Sequence, residues 1–124
     1  MRNKRQRYCI VGVGNTAYGH TPGLSQTALN VLAIRAALED AGLTTKDLHG
    51  VLTKAPTSTF PRMWAPQIAE ALRVKPNIVG TLDQAGATNI GLIQYAISCI
   101  ANKTSILDTS TVICSIETNI KNIT

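Results

Sequence analysis

The chain has 124 residues, of which 44% are hydrophobic and 15% charged, as is typical of one globular domain with a single core. Its net charge of +5 comes mostly from a basic N-terminal arm, residues 1–7, which we expect to be solvated, with contact to phosphate or a membrane surface as the alternative. No run of about 20 apolar residues is present to span a bilayer, and the near balance of charge beyond the arm argues against a nucleic-acid-binding domain.

The cysteines and histidines form no recognisable metal or catalytic pattern. Cys9, Cys99 and Cys114 are too widely spaced for a Cys-x-x-Cys pair or a zinc site, and each lies in an apolar segment. A free cysteine in such a segment behaves as a small hydrophobic residue, and free thiols fit a reducing cytoplasm. His20 and His49 have no neighbouring serine-acid pair or ligand spacing. The sequence therefore predicts no metal and a cytoplasmic location.

The first third of the chain predicts a strand, a loop and a helix. Residues 8–13 are rich in β-branched side chains and predict a buried first strand. Residues 14–23 contain glycines and a proline and predict a loop. Ser25 is a suitable N-cap for a helix that runs to about Ala41 and that Gly42 ends.

The middle of the chain continues the alternation. Residues 50–54 predict a short second strand, and a second helix follows with Pro66 tolerated in its first turn. Lys75-Pro76 ends that helix, and residues 77–82 predict a third strand.

The stretch from Leu82 to Ala101 predicts a strand end, a tight turn containing Gly86, and a helix that is apolar on nearly every side. Its apolar residues are Ile90, Leu92, Ile93, Ala96, Ile97, Cys99 and Ile100. Such a helix has no face for water and must be buried in a larger structure. Its first turn offers free backbone N–H groups and the positive end of the helix dipole to a ligand.

Residues 110–116 predict a fourth strand. Strands and helices thus alternate throughout, which predicts an α/β fold with a mostly parallel sheet joined by crossover helices.

Two glycines after the first strand also match a dinucleotide-binding fingerprint, Gly12-x-Gly14-x-x-Ala17. That site needs a helix that begins within the glycines and an acidic residue at the end of the next strand. Gly19, Pro22 and Gly23 break any such helix, and the only acidic pair falls within the later helical segment. A turn that lets the chain leave the sheet is the preferred interpretation.

Several segments, in order, resemble the N-terminal half of thiolases of the sterol-carrier-protein-x type. They are Ile10-Val-Gly-Val-Gly14, Ala37-Leu-Glu-Asp-Ala-Gly-Leu43, His49-Gly-Val51 and the turn around Gly86. The resemblance implies a thiolase-like fold, of which residues 8–124 form one incomplete βαβαβαβ half with a buried central helix. In that family two similar halves pack together with their central helices in the middle.

The same resemblance places Gly86 where thiolases carry the nucleophilic cysteine at the start of the central helix. Cys99 lies about 20 Å further along that helix and cannot replace it. The family's other catalytic residues belong to the C-terminal half, so no catalytic residue is intact in this chain. Gln84, Gly86, Ala87 and Thr88 are the candidate substrate-binding residues.

The resemblance implies a parent activity on acyl-CoA thioesters, either condensation or retro-aldol cleavage, with acyl-CoA as substrate and no cofactor. It also implies a homo-oligomer that pairs through residues 77–82, and an OB-fold partner protein such as some cysteine-less members use. The alternative is a non-catalytic scaffold, a degenerate half-domain that dimerises with an active partner.

Overall fold

The computed structural model describes Tyr8, residues 10–17, Gly19, residues 22–56 and 61–101, and the backbone of residues 111–115. Three helices and three strands alternate in these parts of the chain, which confirms the predicted α/β fold. The elements are α1 (Gln26–Ala41), β1 (Leu48–Thr53), α2 (Trp64–Leu72), β2 (Ile78–Thr81), α3 (Thr88–Ala101) and β3 (Thr111–Ser115).

The strands form one parallel sheet in the order β2-β1-β3, with β1 in the centre. Residues 50–53 of β1 lie in register with residues 78–81 of β2. Parallel neighbours need crossover connections, which α2 provides between β1 and β2 and α3 between β2 and β3. The mostly parallel sheet predicted from the alternation is therefore confirmed.

The central strand is covered on both of its faces, as parallel strands generally are. Val51 and Leu52 point to opposite sides of the sheet and are both fully buried. On one side α1 and α2 build the larger core, made of Ile34, Leu38, Leu48, Val51, Trp64, Ile68, Ala69 and Leu72. On the other side Leu52 packs against Leu92 and Ala96 of α3.

The ends of α1 are formed as the sequence predicts. The Ser25 hydroxyl accepts a hydrogen bond from the Ala28 N–H at 3.1 Å, so Ser25 is the N-cap. Gly42 adopts a left-handed conformation with φ 68°, and its N–H bonds to the last turn. The second helix ends earlier than predicted, because Arg73 turns into the left-handed region directly after Leu72.

The prediction of a buried strand at residues 8–13 is wrong over residues 10–13, which have no regular structure. Ile10, Val11 and Val13 are exposed by 73%, 56% and 61%. The central strand already has β2 and β3 on its two sides, so this segment finds no place beside it. It lies along α1 instead, where the Val13 N–H donates to Asp40 Oδ2 at 2.9 Å.

Two glycines make the approach to α1 possible. A Cβ atom on Gly12 would collide with the carbonyl of Ala37, and one on Gly14 with the backbone of Ala33 and Ala37. Because those atoms belong to helix backbone, they cannot move aside. Gly12 and Gly14 therefore serve close packing on a helix in this structure, and they do not open a dinucleotide site.

None of the helices in the described parts of the chain is long and apolar enough to cross a membrane.

Candidate functional site

The candidate site is the turn between β2 and α3, at the carboxyl end of the parallel strands. The Leu82 N–H donates to the Thr53 carbonyl at 3.0 Å, which extends the pairing of the two strands by one step. A short 3-10 turn, Ala85–Ala87, then leads directly into α3. Ligands of open α/β sheets generally bind at this end of the strands.

Hydrogen bonds within the turn fix its shape. The Ala85 N–H donates to Asp83 Oδ1 at 3.1 Å, so Asp83 caps the turn. The fully buried Thr88 accepts from the Gln84 N–H at 2.8 Å and donates to the Ala85 carbonyl at 2.7 Å. Thr88 thus positions the turn, whereas Gln84, Gly86 and Ala87 are exposed.

Gly86 lies at an open position of this turn. A Cβ built on it would have no atom within 4 Å, and its φ angle is not in the left-handed region. The preceding Ala85 is left-handed, with φ 51°, a conformation that costs free energy for a residue with a side chain. The backbone therefore presents residue 86 to solvent with room for a side chain, and the sequence supplies none.

One face of α3 is covered by this chain and the other is not. Leu92, Ala96 and Cys99 are buried, whereas Ile90 is 75% exposed and Tyr95 is 49% exposed. The helix is as apolar as predicted, but its burial is one-sided in the chain alone. Cys99 is a free, buried thiol and acts as the small hydrophobic residue expected.

The other predicted residues contribute little to this turn. Among the described residues no three His, Cys, Asp or Glu side chains lie close enough to hold a metal ion. His49 is half-buried in β1 and its carbonyl accepts from the Asn77 N–H at 2.9 Å. Cys9, His20 and the side chain of Cys114 lie outside the described residues.

Sequence reasoning missed Lys54, which directly follows β1 and is only 3% exposed. In the sequence, Lys54 continues the apolar run of the central strand. Because lysine at a strand end is ordinarily exposed, this pattern alone did not indicate that Lys54 is buried.

The backbone is similar to known structures of one fold. It matches the "Ltp2-ChsH2(DUF35) aldolase" with a TM-score of 0.68 and 26% identity, over 85% of this chain and 26% of that chain. It also matches a priming β-ketosynthase from the R1128 polyketide biosynthetic pathway, with a TM-score of 0.61 and 18% identity, over 73% of this chain and 36% of that chain. No family model and no curated protein matches the sequence.

These neighbours establish the class: the chain has a thiolase-like α/β fold. It spans about a quarter of the aldolase chain and about a third of the ketosynthase chain.

Proposed function

We propose that this chain is the N-terminal part of a thiolase-like protein of the cysteine-less, sterol-carrier-protein-x-like branch. Its parent would act on acyl-CoA thioesters, by retro-aldol cleavage of a carbon–carbon bond. The observation that carries the proposal is Gly86, an open position without a nucleophile at the start of α3, in a fold shared with an aldolase. In this proposal the chain contributes the substrate-binding turn, and the catalytic residues come from the C-terminal half of the protein or from a partner protein.

The chemistry explains why a glycine suits this position. Thiolytic acyl transfer needs a nucleophile that forms a covalent acyl-enzyme. In a retro-aldol cleavage the electrons of the breaking bond move into the thioester carbonyl, which becomes an enolate, and a base takes the hydroxyl proton. That reaction needs stabilisation of an oxygen anion rather than a nucleophile. The N-terminus of α3 favours negative charge, and the capping hydrogen bonds of the turn, among the described residues, engage the Gln84, Ala85 and Ala87 N–H groups and not that of Gly86.

Substrate binding is assigned to Gln84, Gly86, Ala87 and Thr88. The first three are exposed at the mouth of the turn, and Thr88 fixes the direction of the first helical turn from beneath. Acyl-CoA enters as substrate, and no cofactor is proposed.

The partner proposals rest on two open surfaces. In the described sheet β2 is an edge strand, and its Val79 side chain is 38% exposed, so the segment 77–82 has free backbone groups for pairing with a second copy. The exposed face of α3 is apolar and needs a cover. The similar aldolase carries two components in its name, which supports a second protein as well; an OB-fold partner is proposed.

The proposal is tested by giving residue 86 the missing nucleophile. The Gly86→Cys variant should fold, because its side chain meets no atom, and its thiol lies at the positive end of α3, which favours the thiolate. Incubation with acetyl-CoA followed by intact-mass analysis should detect an acetylated Gly86→Cys protein. The natural chain, which has three cysteines elsewhere, should stay unmodified.

The matched control is Ile90→Cys, which places an exposed thiol in the first turn of α3, four residues after position 86. It should react far more slowly than Gly86→Cys, because it lies outside the turn. Equal acetylation of the two variants would mean that residue 86 is not beside a thioester site. Acetylation of the natural chain would contradict the proposal that it works without a covalent cysteine.

The alternative is a scaffold that dimerises with an active partner and binds no thioester. The exposed edge at Val79 favours it, because this edge can pair whether or not a site exists. Val79→Lys should convert a dimer into a monomer if the edge is the interface. An unchanged solution mass for that variant would remove this interface from both proposals.

A further inference from the structure

Lys54 is a buried cation without a carboxylate partner among the described residues. Its side chain is only 3% exposed, and its Nζ donates a long hydrogen bond of 3.5 Å to the carbonyl of Ala55. No carboxylate of the described residues pairs with it. Removing an ammonium group from water without pairing it is unfavourable, so an ordinary structural role does not account for its position.

The position of Lys54 places it on the face of the sheet that α3 covers. Leu52, two residues earlier and within β1, packs against α3, and side chains of an extended chain alternate between faces. The hydrogen bond between the Leu82 N–H and the Thr53 carbonyl puts Lys54 beside Leu82. Leu82 belongs to the same cluster and reaches the first turn of α3 at Gly91, where a Cβ would lie 3.1 Å from Leu82 Cδ2.

The Lys54 ammonium and the N-terminus of α3, two sources of positive charge, therefore lie at the same end of the sheet. Asp83 is next to Leu82, but it is exposed, and its Oδ1 already accepts from the Ala85 N–H. No carboxylate of the described residues is therefore placed to pair with Lys54.

We propose that Lys54 binds a carboxylate of the substrate, so that the acyl group of the thioester itself carries a carboxylate. The Lys54 ammonium and the roughly +0.5 charge of a helix N-terminus together exceed the single negative charge of a carboxylate. The dianion of a phosphate monoester, at about −2, would be left partly uncompensated. The substrate class rests on the proposed function, whereas the anion site rests on Lys54 alone.

The first test needs no ligand. Lys54→Met replaces the buried ammonium by an apolar side chain of similar length, and Lys75→Met removes an exposed charge as the control. We expect Lys54→Met to raise the urea midpoint of unfolding, because an uncompensated buried charge disappears, and Lys75→Met to leave it unchanged. An unchanged or lowered midpoint for Lys54→Met would overturn the inference, since Lys54 would then have a partner within the chain.

The second test uses defined probes. Sodium acetate should raise the melting temperature of the natural chain above that in sodium chloride of equal ionic strength, and Lys54→Met should abolish the difference. Malonyl-CoA should bind at least about tenfold more tightly than acetyl-CoA, which has the same phosphates, and the two should bind Lys54→Met equally. Equal binding of both thioesters by the natural chain would overturn the substrate class. An acetate effect that persists in Lys54→Met would overturn the site.

The proposed acyl-CoA function and the proposed anion site at Lys54 can be rejected independently of each other. An acetate effect that depends on Lys54, together with no binding of either thioester, would reject the acyl-CoA function and retain the anion site.

Discussion

The two faces of α3 should respond very differently to truncation. Leu92 is fully buried against Leu52 and Ala96, so Leu92→Ala removes buried methyl groups and leaves a cavity. We expect the free energy of unfolding to fall by roughly 2–5 kcal/mol. Ile90 is 75% exposed and has only a quarter of its surface to lose. Burying a side chain of this size completely stabilises a protein by roughly 1.5–3 kcal/mol, so Ile90→Ala should lower the free energy of unfolding by about 0.5 kcal/mol. The better helix propensity of alanine offsets part of this loss.

Urea unfolding of both variants at low and high protein concentration is the assay. At low concentration only Leu92→Ala should lower the midpoint. If a second copy also covers the exposed face of α3 at high concentration, Ile90→Ala should become costly there, because association stabilises the folded chain by mass action. Equal destabilisation by the two substitutions at low concentration would refute the assignment, since Ile90 would then be buried within a single chain.

Two further predictions concern the periphery of the fold. Gly14→Ala should detach the segment that lies on α1, because a Cβ at residue 14 would collide with helix backbone. The Val13 N–H should then lose its protection in hydrogen-exchange measurements. Retained protection would show that the contact tolerates a side chain. The hydrogen bond from the Thr44 N–H, and then that from the Thr44 hydroxyl, lowers the pKa of Asp47. The pKa of Asp47 is lower in the folded chain than in the unfolded one, so the ionised carboxylate stabilises the folded chain. This stabilisation is fully present above the unfolded pKa and is lost as the pH falls through the folded pKa. Urea midpoints between about pH 6 and about pH 2.5 should therefore fall less in Asp47→Asn than in the natural chain, and identical profiles would contradict the assignment.

The elements that local patterns decide were predictable. Ser25 and Gly42 set the ends of α1 through bonds to residues a few positions away, so the sequence contains all that is needed. Asp83 likewise caps a turn through a residue two positions on. The alternation of strands and helices was enough to predict a parallel sheet.

Features that depend on distant neighbours were not predictable. Residues 10–13 have the composition of a strand, but β1 is already flanked by β2 and β3, and composition does not reveal that competition. Lys54 looks like a polar strand end, because the elements that enclose it come from elsewhere in the chain. The apolar character of α3 indicated burial, but only the packed structure distinguishes the covered Leu92 from the uncovered Ile90.

The most direct measurement is the solution mass of the purified chain by light scattering, together with its melting temperature, with and without acetyl-CoA. The account predicts a discrete dimer whose melting temperature rises with the thioester, because ligand binding to the folded state stabilises it. An oligomer whose melting temperature stays the same when the thioester is added would contradict the proposed acyl-CoA site and leave the scaffold role.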